Sequence, residues 1–426
     1  AEKEDNSMTD IQKENKSGGK VPNRGSVNFP RLRFPEFEGE YRQYSFEDLF
    51  LFSTGKNIKQ NEASREYETP CVRYGELYHL YNEIISEVVN KTNLDKSDLT
   101  FSIGNEILLP SAGEDPLDIG SASALTIKGV AIGRTINILR PLKKNLYSNI
   151  YVSYYINEKL KKKISTLAKG VSISNVYNSD LKILNALLPS ISEQQKISSF
   201  LLLINSRIQT QNKIIEQIEF YFKGIKDTLF SQKIRFGGFA EDWETKKLGD
   251  VLLKNSTKNK NQKYSTVQSV SNKYGFINQE DIFEDRRVAS VDTSNYYVID
   301  KGCFAYNPSR INVGSLAYKF DDKISIISPL YISFKAENIF LIDTFLLYWF
   351  KTIEFTKQMN NSFEGSVRNT LSYENLIKMN ISIPSLEEQI QISSFLTKID
   401  QKIQTEKAIL EQLEIQKKYL LQQMFV

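Results

Sequence analysis

PSISEQQKISSFLLLINSRIQTQNKIIEQIEFYFKGIKDTLF fills residues 189–230, and PSLEEQIQISSFLTKIDQKIQTEKAILEQLEIQKKYLLQQMF fills residues 384–425. Laid over each other without a gap, 195 residues apart, they keep the opening Pro-Ser, the Glu-Gln pair, ISSFL, IQT and a later EQ in register. Agreement of that density marks an internal duplication, which governs how the rest of the chain is read.

Each copy has the spacing of a long helix with one apolar seam. In the first, Ile197, Leu201, Ile204, Ile208, Gln211, Ile215, Ile218, Phe222, Ile225 and Leu229 alternate steps of four and three. Ile392, Leu396, Ile399, Ile403, Glu406, Leu410, Leu413, Lys417, Leu420 and Met424 repeat the pattern. That is the period of a coiled-coil interface. Both seams put a polar residue, Gln211 or Glu406, in the same slot; such a residue fixes register or marks an exposed spot. Pro189 and Pro384 precede the helices, as start signals do. About 40 residues at 1.5 Å each give a rod of roughly 60 Å, and two such rods in one chain most simply pack together.

With 426 residues, 40% of them hydrophobic, the chain can bury more than one core. The most apolar long run, residues 339–350, contains Asp343 and is too short for a bilayer, so a soluble protein is expected. Residues 1–28 are charged and nearly free of apolar side chains, the composition of a disordered tail rather than a signal peptide. Two distant cysteines, Cys71 and Cys303, suggest no disulfide framework and suit a reducing cytoplasm. The single histidine, His79, has no nucleophile motif beside it. A net charge of +4 alone does not indicate a nucleic-acid binder. Its distribution says more: residues 128–182 carry eleven cations against two acids, and residues 246–273 carry seven against one. A charge run is usually a solvated face, and segregation inside each half raises the odds that one face meets phosphates.

The segments before the helices also match. Arg33, Phe34, Phe37, Tyr41 and Asp48 face Arg235, Phe236, Phe239, Trp243 and Asp250. Strand signals fall at residues 69–74, 106–109, 122–127 and 135–139 in the first segment, and at 264–271, 296–299, 302–306, 315–320 and 324–332 in the second. Helices are expected over 150–163 and 343–360. Pro110-Ser111 and Gly120-Ser121 match Pro308-Ser309 and Gly314-Ser315, while Gly170 and Ser172 match Gly365 and Ser366 ahead of the long helices.

Two variable globular segments, each followed by a P-S-x-x-E-Q helix, with N-P-S-R-x-x-x-G-S at residues 307–315 and G-S-x-R-x-x-L at 365–371, resemble the specificity subunit of type I restriction-modification enzymes. The likeness runs from about Phe29 onward. It implies an α+β chain: two mixed α/β target recognition domains separated by two long helices that pair as an antiparallel coiled coil, a pseudo-twofold internal repeat. The divisions are a disordered tail at 1–28, target recognition domain 1 at 29–188, a central spacer helix at 189–233, domain 2 at 234–383 and a second spacer helix at 384–426. The resemblance also implies a noncatalytic cytoplasmic subunit that binds double-stranded DNA. Two methyltransferase (M) subunits using S-adenosylmethionine and restriction (R) subunits using ATP/Mg would join it, with no cofactor and no metal in this chain.

The absences agree with that reading. Ser17-Gly18-Gly19-Lys20 lacks Walker A spacing, and Asn307-Pro308-Ser309-Arg310 lacks the aromatic of an adenine-methyltransferase tetrad. A DNA reader of this layout is a ruler, in which each domain reads a short half-site in the major groove and rod length sets the spacer. Candidate DNA-binding residues are Arg73, Tyr74, Ser111, Lys128, Arg134 and Ser172 in the first domain. In the second they are Gln268, Ser269, Asn272, Lys273, Tyr274, Ser309, Arg310, Asn312, Ser366, Arg368 and Asn369. Arginine pairs with guanine and Asn or Gln with adenine, although phosphate contacts outnumber base contacts. Two other classes stay open on sequence alone: a coiled-coil scaffold whose heads bind proteins, and an enzyme in its own right.

Overall fold

The computed structural model describes residues 28–170, 172–280, 292–364 and 369–426; all but the last residue of the expected tail lies outside them. The chain divides into two compact units, one ending at Gln209 and rejoined by Glu411–Val426, the other Thr210–Leu410. The boundary between the units falls after Gln209 in one long helix and after Leu410 in the other.

The helices span Ile191–Phe230 and Leu386–Met424. Ser190 and Ser385 start them, each hydroxyl accepting from the amide three residues on, Glu193 or Glu388, at 3.3 Å. All the seam positions are buried or half-buried. In the first unit Ile197 and Leu201, early in one helix, share a core with Leu420 and Met424, late in the other. In the second unit Leu229 packs in one core with Ile392 and Leu396, and Lys407 pairs with Glu219 at 2.7 Å. Within each unit the helices therefore run antiparallel. Gln211 and Glu406 meet: the Gln211 amide donates to the Glu406 carboxylate and, at 3.0 Å, to its carbonyl.

Each globular domain is built around two larger sheets whose shared strands follow the same order. In the first unit one sheet runs Phe50–Thr54, Ile136–Pro141, Glu106–Pro110, Ser123–Leu125, Ile84–Ile85; the other runs Asn90–Thr92, Thr69–Val72, Lys128–Ile132, Phe101–Ile103. The second unit repeats the first four strands of the one as Leu252–Lys254, Ile332–Ala336, Phe304–Tyr306, Leu316–Tyr318, with no counterpart of Ile84–Ile85 among the described residues, and the whole of the other as Gly275–Asn278, Val267–Ser271, Ser325–Ile327, Tyr297–Ile299. The parallel pair falls in the same place twice, Cys71 beside Ala131 and Val267 beside Ile326. Arg42–Ser45 pairs with Asn185–Leu188, and Glu244–Lys247 with Asn380–Ile383, so the last strand before each helix is tied to the first strand of its domain.

The repeated P-S-x-x-E-Q motif is the joint between domain and helix. Glu193, on the first helical turn, takes a forked hydrogen bond from Arg33 at 2.8 and 2.8 Å and another from Tyr41 at 3.1 Å. Glu388 takes the same fork from Arg235 at 3.0 and 2.7 Å, with the Trp243 indole at 3.2 Å in place of the tyrosine. The glutamine turns to the domain. Gln194 donates to the Pro189 carbonyl at 2.9 Å and accepts from the Ser148 amide at 2.9 Å. Gln389 donates to Pro384 at 3.0 Å and Phe340 at 2.9 Å, and accepts from Ile342 at 2.8 Å.

Three expected elements are divided. The helix at 150–163 is Asn149–Tyr155 and Lys161–Thr166 joined by a π-helical turn, Ile156–Leu160. There Asn157 exchanges hydrogen bonds with the backbone of Ala122, at 2.8 Å each way, and the wider turn accommodates it. The helix at 343–360 is Asp343–Trp349 and Ile353–Asn361, because the Thr352 hydroxyl caps the second by accepting from Phe355 at 3.1 Å. Residues 324–332 form a strand, Ser325–Ile327, and the start of another, Ile332–Ala336. Pro329 lies between them, and Tyr331 donates back to the Ser328 carbonyl at 3.1 Å to close the turn.

Candidate nucleic-acid interface

In the first unit the sheet registers bring four candidates to one end. Val72 is level with Ile132, so Arg73 and Tyr74 leave their strand where Gly133 and Arg134 leave the neighbouring one. Pro110 is level with Ile136, and the Ser111 amide donates to the Thr135 carbonyl at 2.9 Å. A loop closed by the Lys169–Asn175 bridge carries exposed Ser172. It is tied in by Ser174–Asn175 pairing with Ala112–Gly113 and by the Val176 amide donating to Ser111 at 3.0 Å.

Lys128 is not with them. It opens the strand that Ile132 closes, so it lies toward the opposite end, up to about 20 Å from Arg134 at about 3.3 Å per residue. Arg73 reaches the same end but is engaged: its guanidinium donates to Glu76 at 2.7 Å, and Glu76 is 5% exposed. Tyr74 and Arg134 remain exposed, and the Arg134 guanidinium makes no hydrogen bond or ion pair with the described residues.

The second unit builds the corresponding end differently. Val267–Ser271 and Gly275–Asn278 form a hairpin with Gln268 level with Asn278, and its tip presents Asn272, Lys273 and Tyr274. The Ser271 hydroxyl holds the tip by accepting from the amides of Lys273 at 3.2 Å and Tyr274 at 3.3 Å. Beneath it the Asn307-Pro308 turn forms as that dipeptide predicts. The Asn307 side chain accepts from the Ser309 amide at 3.1 Å and its carbonyl from Arg310 at 3.0 Å, and Ile311, 4% exposed, pins the loop to the core. Ser309, Arg310 and Asn312 stay exposed. Gly314 has φ +88° and a Cβ built on it would fall 3.6 Å from the Asn272 Cβ, and the Asn272 side-chain amide donates to the Val313 carbonyl at 3.4 Å. Asn369 is exposed, and Leu371, just after the Glu364–Thr370 bridge, donates to the Pro308 carbonyl at 3.1 Å as Val176, just after the Lys169–Asn175 bridge, donates to Ser111. Ser366 and Arg368 lie outside the described residues.

Gln268 faces inward instead. It is 8% exposed; its amide donates to Asn278 at 3.1 Å and its carbonyl accepts from Ser325 at 2.7 Å. Ser269 is half-buried and accepts from Gln279 at 2.9 Å. Sequence reasoning passed over the loop that follows the first large-sheet strand of each domain. Exposed Lys56 and Lys59 lie in it, Lys56 donating to the Ile132 carbonyl at 3.0 Å. Lys258, Lys260 and Lys263 occupy its counterpart, where Asn259 donates to Tyr296 at 3.0 Å. The basic run over 246–273 was the available signal.

Electrostatically the two ends differ. Burial raises the Tyr78 hydroxyl above its ordinary range, with Tyr74 and the carboxylates Asp118 and Glu114 adding to the effect, so the first end mixes signs; the second is largely cationic. Burial pushes the thiols of Cys71 and Cys303 up to about 12, which leaves them inert as nucleophiles at neutral pH. Among the described residues there is no group of three or more His, Cys, Asp or Glu that could hold a metal ion, and no helix long and apolar enough to cross a membrane.

Known proteins share this layout. The type I restriction enzyme MjaVIII specificity subunit of Methanocaldococcus jannaschii is 26% identical over 340 residues, 74% of this chain and 77% of that one. The crystal structure of a type I restriction-modification system S subunit from M. genitalium superposes with a TM-score of 0.62 at 16% identity, covering 93% of this chain and 99% of its own. A chain solved in work on complex assembly and conformational transition of the type I R-M system gives 0.52 at 14% identity, with 90% and 95% covered. The sequence pattern of the family described as the type I restriction modification DNA specificity domain matches residues 38–220 and 240–415. With both repeats matched, this chain belongs to the type I restriction-modification DNA specificity family.

Proposed function

We propose that the chain is the noncatalytic, cytoplasmic sequence-reading subunit of a type I restriction-modification complex, and that its target is asymmetric and bipartite. Each domain reads one half-site; the paired helices set the unread spacer; two methyltransferase subunits and restriction subunits bring S-adenosylmethionine, ATP/Mg and the chemistry. One observation carries this reading above the others. Two domains whose shared strands follow the same order expose, at the same end of the same sheets, loops of different sequence and charge. A double-stranded target approached through the major groove presents every base pair distinctly, so two unlike ends read two unlike half-sites.

The test is methylome sequencing of a strain with and without this chain, its methyltransferase partner present in both. Adenine methylation at a two-part sequence should appear only with the chain. An unchanged methylome, together with DNA binding that lacks a steep salt dependence, would refute the reading. Inserting one seven-residue repeat into a helix should lengthen the spacer, and an unaltered spacer would sink the ruler.

A further inference from the structure

Each helix leaves its domain through two residues. The strand ends at Leu188 or Ile383 and the helix begins at Ile191 or Leu386, so the covalent link is only Pro189-Ser190 or Pro384-Ser385, and past it the helix rests on the domain core through Ile197 and Leu201 or Ile392 and Leu396. Two ties brace that joint, from consecutive helical residues that project about 100° apart around the axis. Glutamate holds the segment leading into the domain, through Arg33 or Arg235; glutamine holds the amide of Ser148 or Ile342 at the start of a domain helix. Together they oppose both tilt and rotation. Glu193 and Glu388 have side chains 1% and 2% exposed. A buried ion pair is a weak source of net stability and a better source of defined geometry, and the arginine fork fixes direction as well as distance.

Resting on the reading of the chain as a DNA ruler, we propose that Glu193 with Arg33, and Glu388 with Arg235, are positioning residues that hold the spacer between half-sites to one length. A tilt of about 3° carried along a helix of about 60 Å moves its far end by about 3 Å, close to the rise of one base pair, about 3.4 Å. A few degrees of slack at either joint is enough to blur the count. Base reading, which happens at the strand ends and loops, is left as it was.

The experiment expresses the full chain with its methyltransferase partner and sequences the methylated DNA for three variants. Arg33→Lys keeps the charge and loses the fork. Arg33→Met with Glu193→Gln leaves a neutral, size-matched joint. Lys196→Ala removes an exposed contact to Glu36 from the same segment. The first two should keep both half-site sequences while methylation at spacers one base pair shorter or longer rises at least about tenfold over the unsubstituted chain; Lys196→Ala should hold the single length. Lower total methylation at one fixed spacer in Arg33→Lys would overturn the proposal, because a merely structural role reduces the amount of active complex without changing its count. Equal spreading in Lys196→Ala would overturn it too. If the double variant does not fold, Arg33→Lys alone decides. Absence of any bipartite methylation with the unsubstituted chain would instead refute the ruler beneath the proposal.

Discussion

Gly55→Ala should damage one end of the molecule selectively. A Cβ built at Gly55 falls 2.0 Å from the Gly133 carbonyl oxygen and 2.7 Å from that of Ile132, and both are backbone atoms that cannot swing aside. Glycine is required here for close approach rather than for backbone freedom. Relief demands a shift of about 1 Å, and the contacts that hold the loop are short: Gly55 to Ile136 at 3.0 Å, Lys56 to Ile132 at 3.0 Å, Arg134 to Asn57 at 2.9 Å. Losing two or three backbone hydrogen bonds at about 1 kcal/mol each predicts a loss of roughly 2–3 kcal/mol. The same shift moves Lys56 and Lys59 and removes a prop from Arg134. Urea unfolding measures the first effect, and methylation mapping the second, where one half-site should relax while the other keeps its sequence. A stability within about 0.5 kcal/mol of the parent, with both half-sites intact, would show that the loop does not sit as described or does not face DNA.

Arg310→Ala should cost about 1–3 kcal/mol of DNA binding and relax a single position; a uniform loss across sequences would make Arg310 a phosphate contact. Replacing Gln211 and Glu406 together with leucine should keep the helices paired while loosening their register, and unchanged half-site spacing and complex assembly would remove both from any specifying role. Burial depresses the Lys226 ammonium below its ordinary value near 10.5, Asp227 opposing and Lys351 and Lys223 assisting. Between the depressed value and about 10.5 the unfolded chain holds a proton that the folded chain has released, so stability rises with pH across that window; Lys226→Met should flatten the rise in urea midpoints. A chain opened at Gln232 and closed by joining Val426 directly to Pro30 should fold with near-native far-UV circular dichroism and a cooperative urea transition, and failure would show that the two joints differ.

The long helices were legible because their signal is local and repeated: heptad spacing, a proline ahead, and a polar residue in one slot of each seam. That Gln211 and Glu406 bond each other follows once the pairing is antiparallel, since equivalent positions of a repeat then meet at its centre. The loop-bearing ends of the sheets were less legible. Period-two alternation shows that Lys128 begins a strand but not which end of the sheet carries the loops; the parallel register between 69–72 and 128–132 decides that, across about sixty residues. Gln268 looked like an adenine reader because its type is right, yet its strand turns it toward Asn278 and Ser325. Arg73 and Glu76 lie three apart, a spacing that allowed their ion pair to be anticipated. Lys56 and Lys59 have no periodicity to mark them as exposed loop lysines, whereas the lysines at 258–263 lie in a basic run that does mark them.

What the two halves share and where they differ follow one division of labour. The shared residues sit at the joints: the arginine fork, the buried glutamate, the glutamine, the serine that starts each helix. Even the turn between helix and domain is matched, for Leu32 donates to Gln423 at 3.0 Å where Ile234 donates to Thr228 at 3.4 Å, although only the second pair is joined by five intervening residues of chain. These positions answer to geometry that both halves must satisfy equally. The loops between strands answer to nothing inside the protein beyond a few anchors such as Ile311, so they can differ in length, charge and residue type without disturbing the sheets. Under the proposed ruler, this division lets a half-site change while the spacing stays fixed, and lets the spacing change by helix length while the half-sites stay fixed.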